Sequence, residues 1–354
     1  MSRHNLSLVP SSLDESDVQV PDANHSAILQ AEDAFRAISR TEDKFLRLPF
    51  AGLAEVLGDI PEGDLWYAGG FSGDGKTAFF TSLALALVEQ GKRVYYVPTE
   101  TTPQVVRAHF ACKALGYDVG DFLSGAYRGW VNAEDCREAV KAELKRQTAK
   151  DGKGNRSLWV AEAGLLNSLR LEGEAAHAKE LGADMFIVDH IDHVEGMGQN
   201  LWEASRQTNK TLLHIAQTYG LRVFAATQFN LQATIGHRTT RYLPPTEKVV
   251  YMGNYKRTIA SGMLGIYRPL KIGNLDLGLL KKFNDGDTAV EPKDILEPNT
   301  MAISVMKHRL YGNREGKKIM LNVHHGRVQD FSAIDLEAIE HAIQTSRKSP
   351  LDRK

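Results

Sequence analysis

The fold of this chain is decided by residues 65–80, which read LWYAGGFSGDGKTAFF. The opening residues are apolar and few enough to form a buried strand, and a helical pattern follows the glycine-rich part. Between the two, Gly70, Gly75, Lys76 and Thr77 fit the spacing G-x-x-x-x-G-K-[ST]. This motif requires a strand before it and a helix after it, and the surrounding sequence predicts both.

The residue types of this loop suit a triphosphate. Glycines let backbone N–H groups curl around a phosphate, and the N-terminus of the following helix attracts its charge. Lys76 would reach the β- and γ-phosphates, and the Thr77 hydroxyl would bind Mg²⁺. We therefore predict ATP and Mg²⁺ as cofactors; the alternative is a glycine-rich turn that matches by chance. The residues predicted to bind the nucleotide are Gly70, Ser72, Gly73, Asp74, Gly75, Lys76, Thr77 and Ala78.

The composition indicates a soluble globular protein. The 354 residues are 42% hydrophobic and 25% charged, with a net charge of −1. This balance argues against wholesale coating of nucleic acid but allows a local basic channel. The two cysteines, Cys112 and Cys136, are too few for a disulfide framework or a paired-cysteine metal site, which fits a reducing, cytoplasmic setting. No apolar run approaches the roughly 20 residues of a membrane span, so we expect no membrane partner.

Short apolar strands alternate with helices along the chain. Strands are predicted at 65–68, 93–97, 157–160, 185–188 and 222–226, and helices at 103–115, 132–148, 169–181 and 202–219. This alternation predicts an α/β fold with a mostly parallel central sheet and helices on both faces. The strands predicted at 301–306, 319–323 and 327–331 add a C-terminal β-hairpin.

Four segments make up the predicted domain organisation. Residues 1–23 are polar and are predicted to be a disordered arm. Residues 24–44 contain a helix that packs either on its own domain or on a neighbouring subunit. Residues 45–331 form one ATPase domain, and residues 332–354 form a last helix and a basic tail.

Three polar residues follow predicted strands, where ligands bind in such sheets. Asp189 would hold the water shell of Mg²⁺, although a solvated strand-end aspartate would look the same. Glu100 is placed to orient a water for attack on the γ-phosphate, or else it is an acid at a helix N-terminus. Gln228 would sense the γ-phosphate. A transition-metal site in residues 189–193 is disfavoured, because adjacent strand residues point to opposite faces.

A basic segment at 231–257 carries several cations and a single acid, Glu247. It is a long, structure-poor stretch inside an ordered domain, which is typical of functional loops. Single-stranded DNA is the predicted partner, since phosphate contacts need positive charge more than shape; an ordinary solvated loop is the alternative. The residues predicted to bind DNA are Arg238, Arg241, Lys256 and Arg257.

Two further cations, Lys307 and Arg309, end a predicted hairpin strand. They are either surface charge or groups that reach the phosphates of a nucleotide held by the next subunit.

With these residues in place, the chain resembles the helicase domain of DnaB-type replicative helicases, within the wider RecA-like family. The resemblance runs from about Phe50 to Phe331. It is carried by segments in the family's order: Ile60-Pro61-Glu62-Gly63-Asp64-Leu65, Gly75-Lys76-Thr77-Ala78-Phe79, Pro98-Thr99-Glu100-Thr101, Leu181-Gly182-Ala183-Asp184-Met185-Phe186-Ile187-Val188-Asp189, Thr227-Gln228-Phe229-Asn230 and Lys307-His308-Arg309.

The resemblance implies roles for these segments. Glu100 corresponds to the catalytic glutamate, Asp189 to the Mg²⁺ aspartate, and Lys307 and Arg309 to cations that complete the neighbouring subunit's site. The active form would be a homo-oligomeric ring, expected to be a hexamer, around single-stranded DNA. We expect no counterpart of the family's N-terminal primase-interacting domain in this sequence. Residues 251–261 replace the family's stretch after the DNA loop, and residues 268–300 are an insertion.

The predicted function is an ATP-dependent, ring-forming helicase or translocase on single-stranded DNA, with a loader protein as a further partner. The alternative is a RecA-like ATPase that binds DNA or protein as a switch or loader without unwinding. A P-loop kinase for a small metabolite is less favoured, because it would need an arginine-rich lid and an acceptor pocket. The predicted catalytic residues are Lys76, Glu100, Asp189, Gln228, Lys307 and Arg309.

Overall fold

A computed structural model describes residues 45–149, 157–162, 166–194, 200–229, 250, 253–268 and 300–330. Several predictions lie outside these residues: the N-terminal arm and helix, Arg238, Arg241, nearly all of the 268–300 insertion, and the C-terminal helix and tail. The described residues from Leu46 onward belong to one structural unit. The domain boundaries stay predictions.

Eleven strands and eight α-helices occur in the described residues. The strands are β1 Phe45–Leu46, β2 Ile60–Pro61, β3 Leu65–Gly70, β4 Val94–Pro98, β5 Leu158–Val160, β6 Met185–Asp189, β7 Arg222–Gln228, β8 Gly262–Tyr267, β9 Thr300–His308, β10 Lys318–His324 and β11 Arg327–Gln329. The helices are α1 Ala51–Leu57, α2 Lys76–Glu89, α3 Pro103–Ala114, α4 Val119–Ser124, α5 Ala133–Thr148, α6 Ser168–Glu180, α7 Leu201–Tyr219 and α8 Gly253–Ile259.

One sheet organises the described part of the chain, with nine strands in the order β11-β10-β9-β8-β3-β7-β6-β4-β5. Parallel pairing joins the six strands β8, β3, β7, β6, β4 and β5. At the other side of the sheet, β9 is antiparallel to β8, β10 to β9, and β11 to β10. The strand before the phosphate loop, β3, is central, between β7 and β8. The predicted α/β fold, with its mostly parallel sheet and C-terminal hairpin, is confirmed.

Alternate residues of the central strands face opposite sides of the sheet, as the two-residue period of a strand requires. Trp66 and Ala68 of β3 pack in a cluster with α2 and α3, which includes Phe79 and Phe110. Their neighbours in β3 pack in a second cluster, with α6 and α7. Because both faces are covered by helices, the central strands are apolar throughout, and functional groups must collect at the strand ends.

Three helices lie where no helix was predicted. α1 precedes the first predicted strand, α4 lies between two predicted helices, and α8 lies at the end of the segment predicted to lack structure. Each is only two turns or less, which is too short for a helical pattern of apolar residues to be recognised. The correction matters most for α8, because it carries Lys256 and Arg257.

Candidate nucleotide site

The phosphate loop joins the carboxyl end of β3 to the start of α2. Gly73 and Gly75 have φ angles of +79° and +95°, in the left-handed region that favours glycine. A Cβ on Gly75 would lie 2.7 Å from Cε of Met301, and one on Gly70 would lie 2.9 Å from the backbone oxygen of Ile266. The loop therefore requires glycine at these positions. Gly75, the residue just before α2, has no side chain that could cover the first backbone N–H groups of this helix.

Lys76 is 8% exposed and lies against the loop itself. Its Nζ donates hydrogen bonds to the backbone oxygens of Gly70, at 2.9 Å, and Phe71, at 3.2 Å. Burial lowers the pKa of Lys76, whereas the nearby carboxylates, Asp189 foremost, act in the opposite direction. The predicted phosphate-binding lysine and the predicted Mg²⁺ aspartate thus lie close enough to interact.

Asp189 and Glu100 stand at the ends of neighbouring strands. Asp189 is the last residue of β6, pairs with Pro98 of β4, and accepts a hydrogen bond from the Tyr96 hydroxyl at 2.6 Å. Glu100 follows β4, and its side chain is 54% exposed. One carboxylate is therefore fixed beside the phosphate loop, and the other faces outward at the same edge of the sheet. The two acids therefore lie at the strand ends expected for them, and their roles stay predictions.

Gln228 joins this group through His190, which the sequence suggested only as a disfavoured metal ligand. His190 is 1% exposed, and its Nε2 lies 3.2 Å from Nε2 of Gln228 and 3.4 Å from Oε2 of Glu100. Its Nδ1 accepts a hydrogen bond from the backbone N–H of Asp192 at 3.3 Å. Glu100 and Gln228 were predicted to lie at one edge of the sheet because both follow apolar strands. No feature of the sequence predicted that His190 would lie between them.

Asp192 ties this edge to α8. It accepts hydrogen bonds from the backbone N–H of Gln228 at 2.6 Å, the Thr227 hydroxyl at 3.0 Å and Nζ of Lys256 at 3.3 Å. Burial by itself would raise the pKa of Asp192, but Lys256, the contact with His190 and the Gln228 amide together hold it well below its usual range. Asp192 is therefore an anionic anchor for the residues around Gln228.

The structure corrects the prediction that Lys256 contacts DNA. Its side chain is fully buried, and Nζ also donates to the Thr227 hydroxyl at 2.6 Å. An ammonium group held this way faces the interior of the domain and is not available to a phosphate backbone. Arg257 differs, because it is 38% exposed and forms an ion pair with Glu315 at 3.2 Å. Its DNA contact stays a prediction.

Lys307 and Arg309 hold the C-terminus of α8. Nζ of Lys307 donates to the backbone oxygen of Ala260 at 2.6 Å and to that of Arg257, and Nη2 of Arg309 donates to that of Ile259 at 3.0 Å. Cations at this position satisfy the unpaired carbonyls of a helix end. Burial, together with the charges of Arg309 and Arg257, lowers the pKa of Lys307 to about 8.

These two cations lie at the opposite edge of the sheet from the phosphate loop. The N–H of Arg309 bonds to the oxygen of Ser261, whose own N–H bonds to the oxygen of Leu65, the first residue of β3. The phosphate loop leaves β3 at Gly70, which is about 16 Å away at roughly 3.3 Å per residue. Neither cation therefore reaches the nucleotide site of its own chain.

A cavity of about 380 Å³ shares one residue, Arg268, with the surroundings of the phosphate loop, and none of its lining residues was predicted from the sequence. Nη2 of Arg268 lies 3.6 Å from the position that a Cβ on Gly75 would take. Nε of Arg268 is buried and has no hydrogen-bond partner among the described residues. The volume is in the range of small-molecule pockets. The residues that line the cavity are Asp118, Arg268, Val323, His324, His325 and Gly326.

The donors at this edge fit a nucleotide with Mg²⁺. The loop has glycine at positions 70, 73 and 75, Nη2 of Arg268 lies beside Gly75, and Thr77 and Asp189 offer the hydroxyl and carboxylate oxygens that Mg²⁺ prefers. In the described ranges, no group of three or more His, Cys, Asp or Glu residues is placed to hold a metal ion. None of the helices described here has the length and apolar character needed to cross a membrane.

A glycine loop between a central strand and its helix, with acids at the ends of neighbouring parallel strands, is the arrangement of a P-loop nucleotide-binding fold. The structure is similar to that of a DnaB-like replicative helicase solved to study its interactions with primase, with a TM-score of 0.62, 12% identity, and coverage of 88% of this chain and 67% of that one. It is equally similar to a second solved structure, an ATPase domain on its own, with a TM-score of 0.62, 13% identity, and coverage of 88% and 100%.

The sequence itself matches no protein-family profile and no curated protein. At such low identity, the two structural likenesses show the fold. The chain therefore has the fold of a DnaB-type, RecA-like domain, as the order of its motifs predicted.

Proposed function

We propose that this chain is an ATP-dependent, ring-forming helicase or translocase that acts on single-stranded DNA and hydrolyses ATP at subunit interfaces. The observation that carries the proposal is the division of the predicted groups between two edges of one sheet. The phosphate loop, Asp189, Glu100 and Gln228 gather at the carboxyl edge, whereas Lys307 and Arg309 lie at the other edge. A site divided in this way is complete only when one chain meets another.

ATP would lie with its triphosphate on the glycine loop and its nucleoside toward the cavity that Arg268 lines. Lys76, which now bonds to the loop carbonyls, is the cation placed to follow the γ-phosphate. Arg268, whose Nη2 lies beside the loop at Gly75, is the cation placed to contact an oxygen of the nucleotide. Mg²⁺, held by Thr77 and Asp189, would neutralise charge that develops on the phosphates.

Three residues of the chain, Glu100, Gln228 and Arg309, have separate roles in the proposed hydrolysis. The half-exposed carboxylate of Glu100 accepts a proton from the attacking water and orients it. The side-chain amide of Gln228 contacts the same ring nitrogen of His190 that faces Glu100. The backbone N–H of Gln228 bonds to Asp192, which also binds Lys256 of α8, so a change at the γ-phosphate can be passed to the basic segment that precedes α8. Arg309 is exposed, and it is the cation placed to enter a neighbouring chain's site.

Subunit mixing tests this division. Glu100→Gln inactivates a subunit's own site but leaves its cations, whereas Arg309→Ala leaves the site but removes a cation. If the sites are shared, a mixture of the two variants will hydrolyse ATP faster than the average of the two separate preparations. Mixing Glu100→Gln with the double variant, which has neither function, is the control and should give no gain. Strictly additive activities in the first mixture would contradict shared sites.

A second function is favoured by the burial of Lys256. One of the cations predicted to bind DNA is committed to Asp192, and the segment around it departs from that of the helicases. A RecA-like ATPase that acts as a switch or loader without unwinding fits this observation. A strand-displacement assay on a forked duplex separates the two: robust ATP hydrolysis without displacement supports the switch.

A further inference from the structure

His190 is a buried histidine whose ring touches three functional groups from three different segments. Nε2 faces the Glu100 carboxylate at 3.4 Å and the Gln228 amide at 3.2 Å, while Nδ1 faces Asp192. The backbone is held as well, because the Thr99 hydroxyl donates to the oxygen of His190 at 2.5 Å. A polar ring that is 1% exposed and surrounded in this way has a fixed position.

Both neutral forms of the ring find partners here. With the proton on Nε2, the ring can donate toward Glu100, and Nδ1 accepts from the N–H of Asp192. With the proton on Nδ1, the ring faces Oδ2 of Asp192 at 3.5 Å, and Nε2 can accept from the Gln228 amide. Asp192, itself anchored by Lys256, therefore holds the ring, and the ring holds either the glutamate or the glutamine.

We propose that His190 is a positioning residue for ATP hydrolysis, which holds the carboxylate of Glu100 in one neutral form of its ring and the amide of Gln228 in the other. The inference rests on the proposed ATP hydrolysis. Glu100 is a flexible, half-exposed side chain, and in-line attack demands that its carboxylate be held in one place. Displacement of a catalytic group by about 1 Å can cost a hundredfold in rate. His190 restricts the position of this carboxylate by direct contact and acts on hydrolysis rather than on nucleotide binding.

The test compares His190→Ala, His190→Gln and His190→Asn for kcat and KM of ATP hydrolysis, with melting temperatures measured in parallel. We expect His190→Ala to lower kcat roughly 10- to 100-fold, with KM changed by less than about twofold. The glutamine amide reaches the place of Nε2, whereas the asparagine amide reaches only that of Nδ1. His190→Gln should therefore recover more activity than His190→Asn.

A double-variant cycle separates positioning from general damage. Glu100→Asp withdraws the carboxylate from His190, so adding His190→Ala to Glu100→Asp should cost little further activity. His109→Gln is the matched control, because His109 is a half-buried histidine of α3 whose Nδ1 is buried and has no partner among the described residues. It should keep the wild-type kcat.

Three results would overturn the inference: a wild-type kcat for His190→Ala, an equal loss with and without the Glu100→Asp substitution, or no recovery by His190→Gln. Failure of the proposed function looks different. In that case Glu100→Gln would hydrolyse ATP as fast as the wild type, whatever residue stands at position 190. A dead Glu100→Gln variant with unaffected His190 variants would reject the inference and leave the proposed function standing.

Discussion

Two adjacent cations of this domain differ in burial, so that one is held in a structural ion pair and the other is accessible to ligands. Lys256 and Arg257 are adjacent in sequence and both belong to a basic stretch, yet the first is buried against Asp192 and the second lies at the surface with Glu315. Removal of one partner from a buried ion pair leaves an uncompensated charge, whereas an exposed pair contributes little. Neighbouring cations should therefore respond very differently to the same substitution.

Lys256→Met is expected to lower the free energy of unfolding by about 3 kcal/mol, because the Asp192 carboxylate, only 17% exposed, loses its cation. Arg257→Met is the matched control, with an expected change below about 1 kcal/mol. Urea denaturation measures both. A Lys256→Met variant that is as stable as Arg257→Met but binds DNA more weakly would show that Lys256 contacts DNA after all.

Lys113 lies beneath the start of α2 and predicts a pH effect on stability. It is 1% exposed, donates to the oxygen of Ala78 at 3.2 Å, and has its pKa lowered by burial to about 7. Above pH 7 the folded protein gives up this proton, whereas the unfolded chain keeps it up to about pH 10. Stability should therefore rise with pH in this window, by up to about 1.4 kcal/mol per pH unit from this group.

Thermal unfolding between about pH 7 and pH 9 checks this expectation. The stability of Lys113→Met relative to the wild type should fall as the pH rises, because the variant has no such proton to lose. Lys141→Met, at an exposed lysine of α5, should show no such trend. A parallel course for the wild type and Lys113→Met would mean that Lys113 keeps an ordinary pKa in the folded protein.

At the level of elements, α8 connects the two edges of the sheet. It is a seven-residue helix that sends Lys256 toward Asp192 near the nucleotide site, and its last carbonyls accept from Lys307 and Arg309 at the far edge. A helix this short has little stability of its own, so these tertiary contacts hold it. α8 is thus the element through which the nucleotide edge and the cations of the opposite edge can affect each other.

Arg309→Ala is expected to speed hydrogen exchange of the α8 amides several-fold, since about 1 kcal/mol of capping is lost. Arg314→Ala is a matched control: Nη1 of Arg314 caps α1 in the same way, donating to the oxygen of Val56 at 2.6 Å. It should loosen α1 and leave α8 unchanged. Equal protection of α8 in the wild type and Arg309→Ala would show that Arg309 does not hold this helix.

The sequence predicted the regular elements well and the tertiary contacts poorly, for physical reasons. Apolar strands in a sheet covered on both faces leave a strong local signal, so the strand ends that carry Glu100, Asp189 and Gln228 could be placed. Short helices such as α8 leave almost none. The roles proposed for His190 and Arg268 depend on contacts between distant segments, with Glu100 in one case and the loop at Gly75 in the other. No local pattern encodes such contacts.

For the whole molecule, we propose that ATP is bound by one chain and that its cleavage is completed by cations from the next. The described sheet keeps the phosphate loop and Arg309 at opposite edges, which a single chain cannot bring together without unfolding β3. An arginine supplied by a neighbour can raise turnover by about 10³- to 10⁵-fold. Hydrolysis should therefore depend on assembly.

The most direct measurement is the rate of ATP hydrolysis per chain over a range of protein concentrations, with native mass determined on the same samples in the presence of ATP and single-stranded DNA. We expect the rate per chain to rise steeply as a ring forms, and to be very low wherever the protein is monomeric. A protein that stays monomeric under these conditions and hydrolyses ATP at an undiminished rate would contradict the account.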